Sequence, residues 1–230
     1  MARLARVVVP EMPHHIIQRG NRRLDVFFSE EDRMMYLTLL RRACQRYGVH
    51  VWAYCLMRNH VHVIAVPKEE RALARCFADV HVRYTRRINF REGWRGHLWQ
   101  ARFGSSVLDE RYLLAAVRYV ERNPVKAGIV ALPWQYPWSS ARWHVGEVSA
   151  DPVVTGEGPL RALVSNWREY LLVDEDETEL AKLEQEVRVN RPLGSAEFLH
   201  TLEERIGRPI TRRKPGRPQK NRWLSPDKSD

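Results

Sequence analysis

The hydrophobic and polar positions of this chain follow two alternating periods. HHIIQR at 14–19 is short and β-branched and predicts a strand, followed by the loop GNRRLD. SEEDRMMYLTLLRRACQRYG opens on Ser29 and two acids, places Met35, Leu39, Leu40 and Ala43 at helical spacing, and stops at Gly48. That spacing predicts a helix. VHVWAYCLM and HVHVIAV alternate across Arg58-Asn59, so residues 49–66 predict a β-hairpin. From 71 to 89, Leu73, Cys76, Phe77, Val80 and Tyr84 share one face of a basic amphipathic helix. GHLWQARFGSSVLD gives a loop and a short strand, and DERYLLAAVRYVERNP a third helix, started by Asp109 and ended by Asn123-Pro124.

This order predicts an α+β fold: a ferredoxin-like antiparallel sheet with helices packed on it. Beyond Trp143 the pattern changes. VGEVSADPVVTGEGP is turn-rich, PLRALVSNWREYLL predicts a helix, and DEDETELAKLEQEV reads as a solvated acidic helix or linker. RPLGSAEFLHTLEERIG predicts a small helix capped at Ser195. RPITRRKPGRPQKNRW has no acid and is rich in Arg and Pro, the composition of a segment disordered when unbound. The expected organisation is a sheet domain at 1–145, a mostly helical accessory region at 146–207 and a basic tail at 208–230.

Composition narrows the partner. A formal net charge of +10 over 230 residues favours a polyanion, nucleic acid ahead of an anionic membrane surface. Cys44, Cys55 and Cys76 lack CxxC spacing and read as buried free thiols in a reducing compartment. No run approaches the roughly 20 apolar residues of a membrane span, and the apolar stretch in MARLARVVVPEMPHH is too short for a signal peptide. The expectation is a cytoplasmic protein.

NHVHVI, residues 59–64, carries the candidate chemistry. On a strand His60 and His62 point one way while Val61 and Val63 face the other. The pair is either a metal clamp lacking a third ligand or two half-buried histidines of an edge strand. In the third helix Tyr119 and Asn123 are one turn apart and share a face. Alone, Tyr119 also reads as a core aromatic and Asn123 as a helix terminator. Together, two imidazoles and an amide oxygen suit a divalent ion with positions left open for phosphate oxygens, and the phenol is a candidate nucleophile.

NHVHVI, WQARF, YVERNPVKAG and WSS resemble the REP-associated tyrosine transposases of the single-tyrosine HUH superfamily, over about residues 10–145 with a further family-like tail. The resemblance implies a nuclease fold that cuts single-stranded DNA beside hairpin-forming repeats. It implies that His60, His62 and Asn123 hold Mg2+ or Mn2+ and that Tyr119 forms a 5′-phosphotyrosine. Candidate DNA-binding residues are His15, Gln18, Arg19, Asn21 and Arg22 on the first strand and loop, and Arg83, Arg86 and Arg87 on the second helix. Trp99, Gln100, Arg102 and Phe103 mix stacking and phosphate-binding types, although Trp99 and Phe103 also read as core. Lys214-Pro215-Gly216-Arg217-Pro218 is similar to an AT-hook, with Arg217 as its groove-entering residue, or is a plain basic tail. The rival readings are a binding module that cuts nothing and a metal nuclease in which water attacks.

Overall fold

The computed structural model describes residues 6–154, 160–174 and 176–210. Four strands, β1 His14–Arg19, β2 Val49–Met57, β3 His60–Pro67 and β4 Gly104–Val107, form one antiparallel sheet in the order β2-β3-β1-β4. With α1 (Glu30–Tyr47), α2 (Ala72–Glu92) and α3 (Glu110–Lys126) between or after the strands, this is the ferredoxin-like layout the sequence predicts.

Side-chain alternation sorts the sheet into two cores. Ile16, Tyr54, Leu56, Val61 and Val63 point to α1 and α2, and Phe27, Tyr36 and Tyr84 fill that layer edge to face. Ala53, Cys55, Met57 and Ile64 point the other way, toward α3. Cys44, Cys55 and Cys76 are all buried free thiols, as expected. Asp32, in the first turn of α1, accepts from Phe28 N and pairs with Arg91 of α2, which fastens the two helices.

Both sheet edges are covered in part. Along β2, Leu56 N–H donates to Trp138 O and Tyr54 N–H to the Ser140 hydroxyl. Ser140 and His144 also hold the buried Glu121 carboxylate of α3, so the WSS segment ties helix to sheet edge. Along β4, Ser105 N–H donates to Asn190 Oδ1 and Leu193 N–H to Val107 O. These contacts occupy the outer edge of β2 at 54–56 and of β4 at 105–107.

Three details depart from the sequence expectation. α3 does not end at Asn123-Pro124 but carries Pro124 inside it and runs to Lys126, because Ala127 N–H still reaches Asn123 O. The single helix expected over 159–172 is two, α5 Leu160–Leu163 and α6 Trp167–Leu172, following the short α4 Ala141–His144. Asn166 caps α6 by accepting from Glu169 N, which breaks the run. The acidic segment forms α7, Glu177–Val189, and it is not simply solvated: Leu180, Leu183 and Val187 are buried and it lies against α3, β1 and β4. α8, Ala196–Ile206, is capped by Ser195 as expected. No helix among the described residues is long and apolar enough to cross a membrane.

α7 approaches β4 closely because residue 104 has no side chain. A Cβ there would sit 2.4 Å from Val187 O and 3.1 Å from Ile17 Cγ2. Gly104→Ala is therefore expected to cost about 1–3 kcal/mol in urea unfolding and to speed amide exchange in 177–189 before α1. Unchanged exchange in α7 would show that the close approach does not hold the helix.

Candidate active site

Strand β3 sets His60 and His62 on the face toward α3, the parity of Ile64, and sends Val61 and Val63 into the opposite core. Their rings meet edge to face with centroids 4.9 Å apart. His60 Nδ1 donates to Asn59 Oδ1 at 2.6 Å, which leaves the Nε2 lone pair available. His62 Nδ1 lies 2.9 Å from His15 Nε2, the two rings stacked. His62 Nε2 is buried and has no hydrogen-bond partner among the described residues.

α3 supplies the opposing wall. The Tyr119 ring stands edge-on to His62 at 5.3 Å and to His15 at 6.0 Å. One turn later Asn123 lies beside His60 and Tyr119, and its buried amide nitrogen has no hydrogen-bond partner among the described residues. The Tyr119 hydroxyl donates to Glu184 Oε1 of α7 at 3.0 Å, and Glu184 is held in turn by Arg188. Lys126 lies over the Tyr119 ring.

The electrostatics follow from burial. Desolvation, then the charge of Arg19, pushes His60 down to about 4 against the opposing influence of the neighbouring Asn123 amide. Desolvation puts His15 at about 3 and holds His62 well below its ordinary value, with His60, His15 and Arg19 adding to the latter. All three imidazoles are neutral at pH 7 and present lone pairs. Burial first, and then the Glu184 carboxylate, raises Tyr119 above an ordinary phenol, so the hydroxyl is protonated at rest.

These residues fit a divalent ion. A neutral imidazole whose inner nitrogen has no partner, a second imidazole beside it with its outer nitrogen already engaged, and an amide between that ring and a phenol form a partial ligand set. No group of three His, Cys, Asp or Glu among the described residues is disposed to hold a metal.

The candidate DNA-binding residues divide. His15 is fully buried against His62 and is not placed to read a base, because its β1 position is diagonal to His62 on the inner face. Gln18 is also buried, donating to Ala101 O and Arg19 O, and fixes the loop instead of facing solvent. Trp99 and Phe103 belong to the α1/α2 core. Arg19 is half-buried beside the imidazoles, while Asn21, Arg22, Arg86, Arg87, Gln100 and Arg102 are exposed. Arg83 is exposed but paired with Asp79. Arg217 and the rest of the AT-hook-like segment lie outside the described residues.

Sequence reading missed Glu184 and the supporting role of His15. The signal for Glu184 was present in Leu180, Leu183 and Val187, whose spacing marks an inward face and places residue 184 at its border.

A ferredoxin-like sheet with paired imidazoles, faced by a helix bearing a tyrosine and an amide one turn apart, defines the class of the site. Residues 8–123 match the family model "Transposase IS200 like", and the chain belongs to that family. The resemblance read from the sequence is thus borne out. The chain is 25% identical over 111 residues to a putative REP-associated tyrosine transposase of Haemophilus influenzae (strain ATCC 51907 / DSM 11121 / KW20 / Rd), a match covering 44% of this chain and 63% of that relative. A solved structure of a REP-associated tyrosine transposase bound to a REP hairpin shares the fold at TM-score 0.55 and 18% identity, over 68% of this chain and 93% of the other.

If the imidazoles hold a metal, calorimetric titration of Mn2+ into the wild type gives one site. His60→Ala or His62→Ala should abolish that site, and His15→Gln should weaken it about 10- to 100-fold through loss of the orienting contact. Equal affinity in all four proteins would remove the metal reading.

Proposed function

We propose that the protein is a metal-dependent endonuclease and strand transferase for single-stranded or hairpin-forming DNA, working through a 5′-phosphotyrosine on Tyr119. The observation that carries this reading is the convergence of one tyrosine hydroxyl, a carboxylate acceptor, two neutral imidazoles and an amide in a single buried site. Membership of the transposase family supports it.

His60, His62 and Asn123 would hold the ion, and two imidazole nitrogens with oxygen ligands suit Mn2+ better than Mg2+, whose preferred ligands are all oxygen. When bound, such an ion withdraws charge from a non-bridging phosphate oxygen. His15 orients the His62 ring, and Asn59 fixes the His60 tautomer. Arg19, half-buried beside the imidazoles, adds positive charge where the phosphate gains negative charge.

Tyr119 is the nucleophile. As its oxygen bonds to phosphorus, its proton passes to Glu184 Oε1, the bond from phosphorus to the 3′ oxygen breaks, and that oxygen takes a proton from water to leave as a 3′-OH. Attack by another 3′-OH on the phosphotyrosine reverses the step or joins new ends. The ester bond is conserved throughout, so no nucleotide triphosphate is consumed. Basic residues around the site and the Arg-rich segment beyond Ile210 supply phosphate affinity.

A strand labelled 3′ of the cut, incubated with Mn2+ and run on a denaturing protein gel, should leave label on the wild type and none on Tyr119→Phe, with hairpin binding unchanged. Glu184→Gln should slow adduct formation on the order of 100-fold, the usual contribution of a proton acceptor. Faster adduct formation in Glu184→Gln would mean that the contact restrains the phenol instead. Cleavage without label in the wild type would favour attack by water.

A further inference from the structure

A cleft of about 240 Å3 lies between β1, the segment 100–104 and α7. Four arginines line it, Arg19, Arg23, Arg102 and Arg188, and no Asp or Glu does. Among the described residues Arg19, Arg23 and Arg102 form no ion pair. Burial first, and then the charges of Arg188 and Arg23, press the Arg19 guanidinium below its ordinary value. Like charges gathered in a partly closed space are costly unless an anion shares them.

Arg188 reaches this cleft because of how α7 sits. Gly104 lines the cleft and lets the Val187 backbone approach β4, which sets the next residue, Arg188, at the rim. Arg188 also holds Glu184 Oε2 at 3.1 Å, while Oε1 of the same carboxylate accepts from the Tyr119 hydroxyl at 3.0 Å. The two charged side chains are 54% and 37% exposed, and an i,i+4 pair that open to solvent adds little to stability. One arginine thus borders both the cationic cleft and the acceptor of the nucleophile's proton. It stands outside residues 8–123, the span of the family match.

We propose that Arg188 grips the DNA phosphate adjoining the scissile one, and that in turning to this phosphate it lets go of Glu184. The inference rests on the phosphotyrosine reading above and adds a residue of the accessory region to the substrate site. The scissile phosphate belongs with Tyr119 and the imidazoles, at the Arg19 end of the cleft: Arg19 stands opposite His60 and its charge reaches Tyr119. Arg23, Arg102 and Arg188 are left for the neighbouring phosphate. A guanidinium presents its donors in a fixed fork, so Arg188 can exchange one contact with a carboxylate for a two-point contact with phosphate. A seated strand then leaves the Glu184 carboxylate to the phenol alone, and the proton acceptor is released only when DNA lies in the cleft.

The test removes phosphate charges one at a time. Neutral methylphosphonates replace each phosphate of a hairpin oligonucleotide in turn, the scissile one excepted, and binding to the full chain is titrated without added metal so that no strand is cut. One position next to the cut should weaken wild-type binding roughly 10-fold. Arg188→Gln should lose a similar factor on the intact strand, show little further loss at that position, and lower the slope of log affinity against log salt by about 0.7–0.9. Arg188→Lys, which keeps the charge, should keep the slope. In Glu184→Gln the loss at that position should persist, because the phosphate contact does not need the carboxylate. With Mn2+ added, the Arg188→Gln defect in adduct formation should fall mainly on the half-saturating DNA concentration and less on the saturated rate. Wild-type affinity and salt slope in Arg188→Gln, or the same methylphosphonate losses in Arg188→Gln as in the wild type, would overturn the proposal and leave Arg188 as a tether for Glu184. If the wild type forms the labelled adduct but Arg188 couples to no phosphate, the Arg188 assignment fails and the nuclease reading stands; if Arg188 couples to one phosphate but no adduct forms, the phosphotyrosine reading fails; if the wild type binds no hairpin, both fail.

Discussion

The structure turns on burying neutral imidazoles in the face of a sheet. A polar ring deep in a protein is costly unless its nitrogens are paired, and here one nitrogen of each ring is paired, His62 with His15 and His60 with Asn59, while His62 Nε2 and His15 Nδ1 are left without a partner among the described residues. The arrangement depends on strand register. Ile17 lies opposite His62 and Arg19 opposite His60, so His15 stands diagonally across from His62 and Arg19 brings a cation to the rim. A slip of one residue would send His60 and His62 into the aromatic core under α1 and α2, and Val61 and Val63 into the site.

Two helices then complete what the strand begins. α3 contributes Tyr119 and Asn123 from one face and is anchored by its buried Glu121, which is gripped by Ser140 and His144. α7 closes over the phenol because Gly104 leaves room for its backbone, bringing Glu184 to the hydroxyl. The residues that hold the chemistry in place are thus spread from β1 to α7. Strings such as WSS and the glycine of FGSS act through packing, at a distance from the Tyr119 hydroxyl.

Much of this was legible in the sequence, where periodicity and a local signal agreed. The strand 14–19, the Ser29-capped helix and the hairpin turning at Arg58-Asn59 have the predicted bounds or nearly so. The pairing of Tyr119 with Asn123 followed from helical spacing alone. What sequence could not supply were contacts made by residues distant along the chain. Nothing local to Glu184 says that it meets a tyrosine 65 positions earlier. His15 looked like a loop-adjacent base reader until β1 was set against β3. Pro124 read as a stop because local rules count the hydrogen bond it lacks, while the downstream bond from Ala127 to Asn123 keeps the helix going.

The central claim is that one hydroxyl in this buried cluster takes the DNA phosphate. Its most direct test is mass spectrometry of the wild-type protein after reaction with a hairpin oligonucleotide in Mn2+, nuclease trimming and proteolysis. The account predicts a nucleotide-phosphate mass on the single peptide containing Tyr119, with fragmentation placing it on that side chain. The same mass on a peptide containing another tyrosine, or its absence when the DNA has been cut, would contradict it.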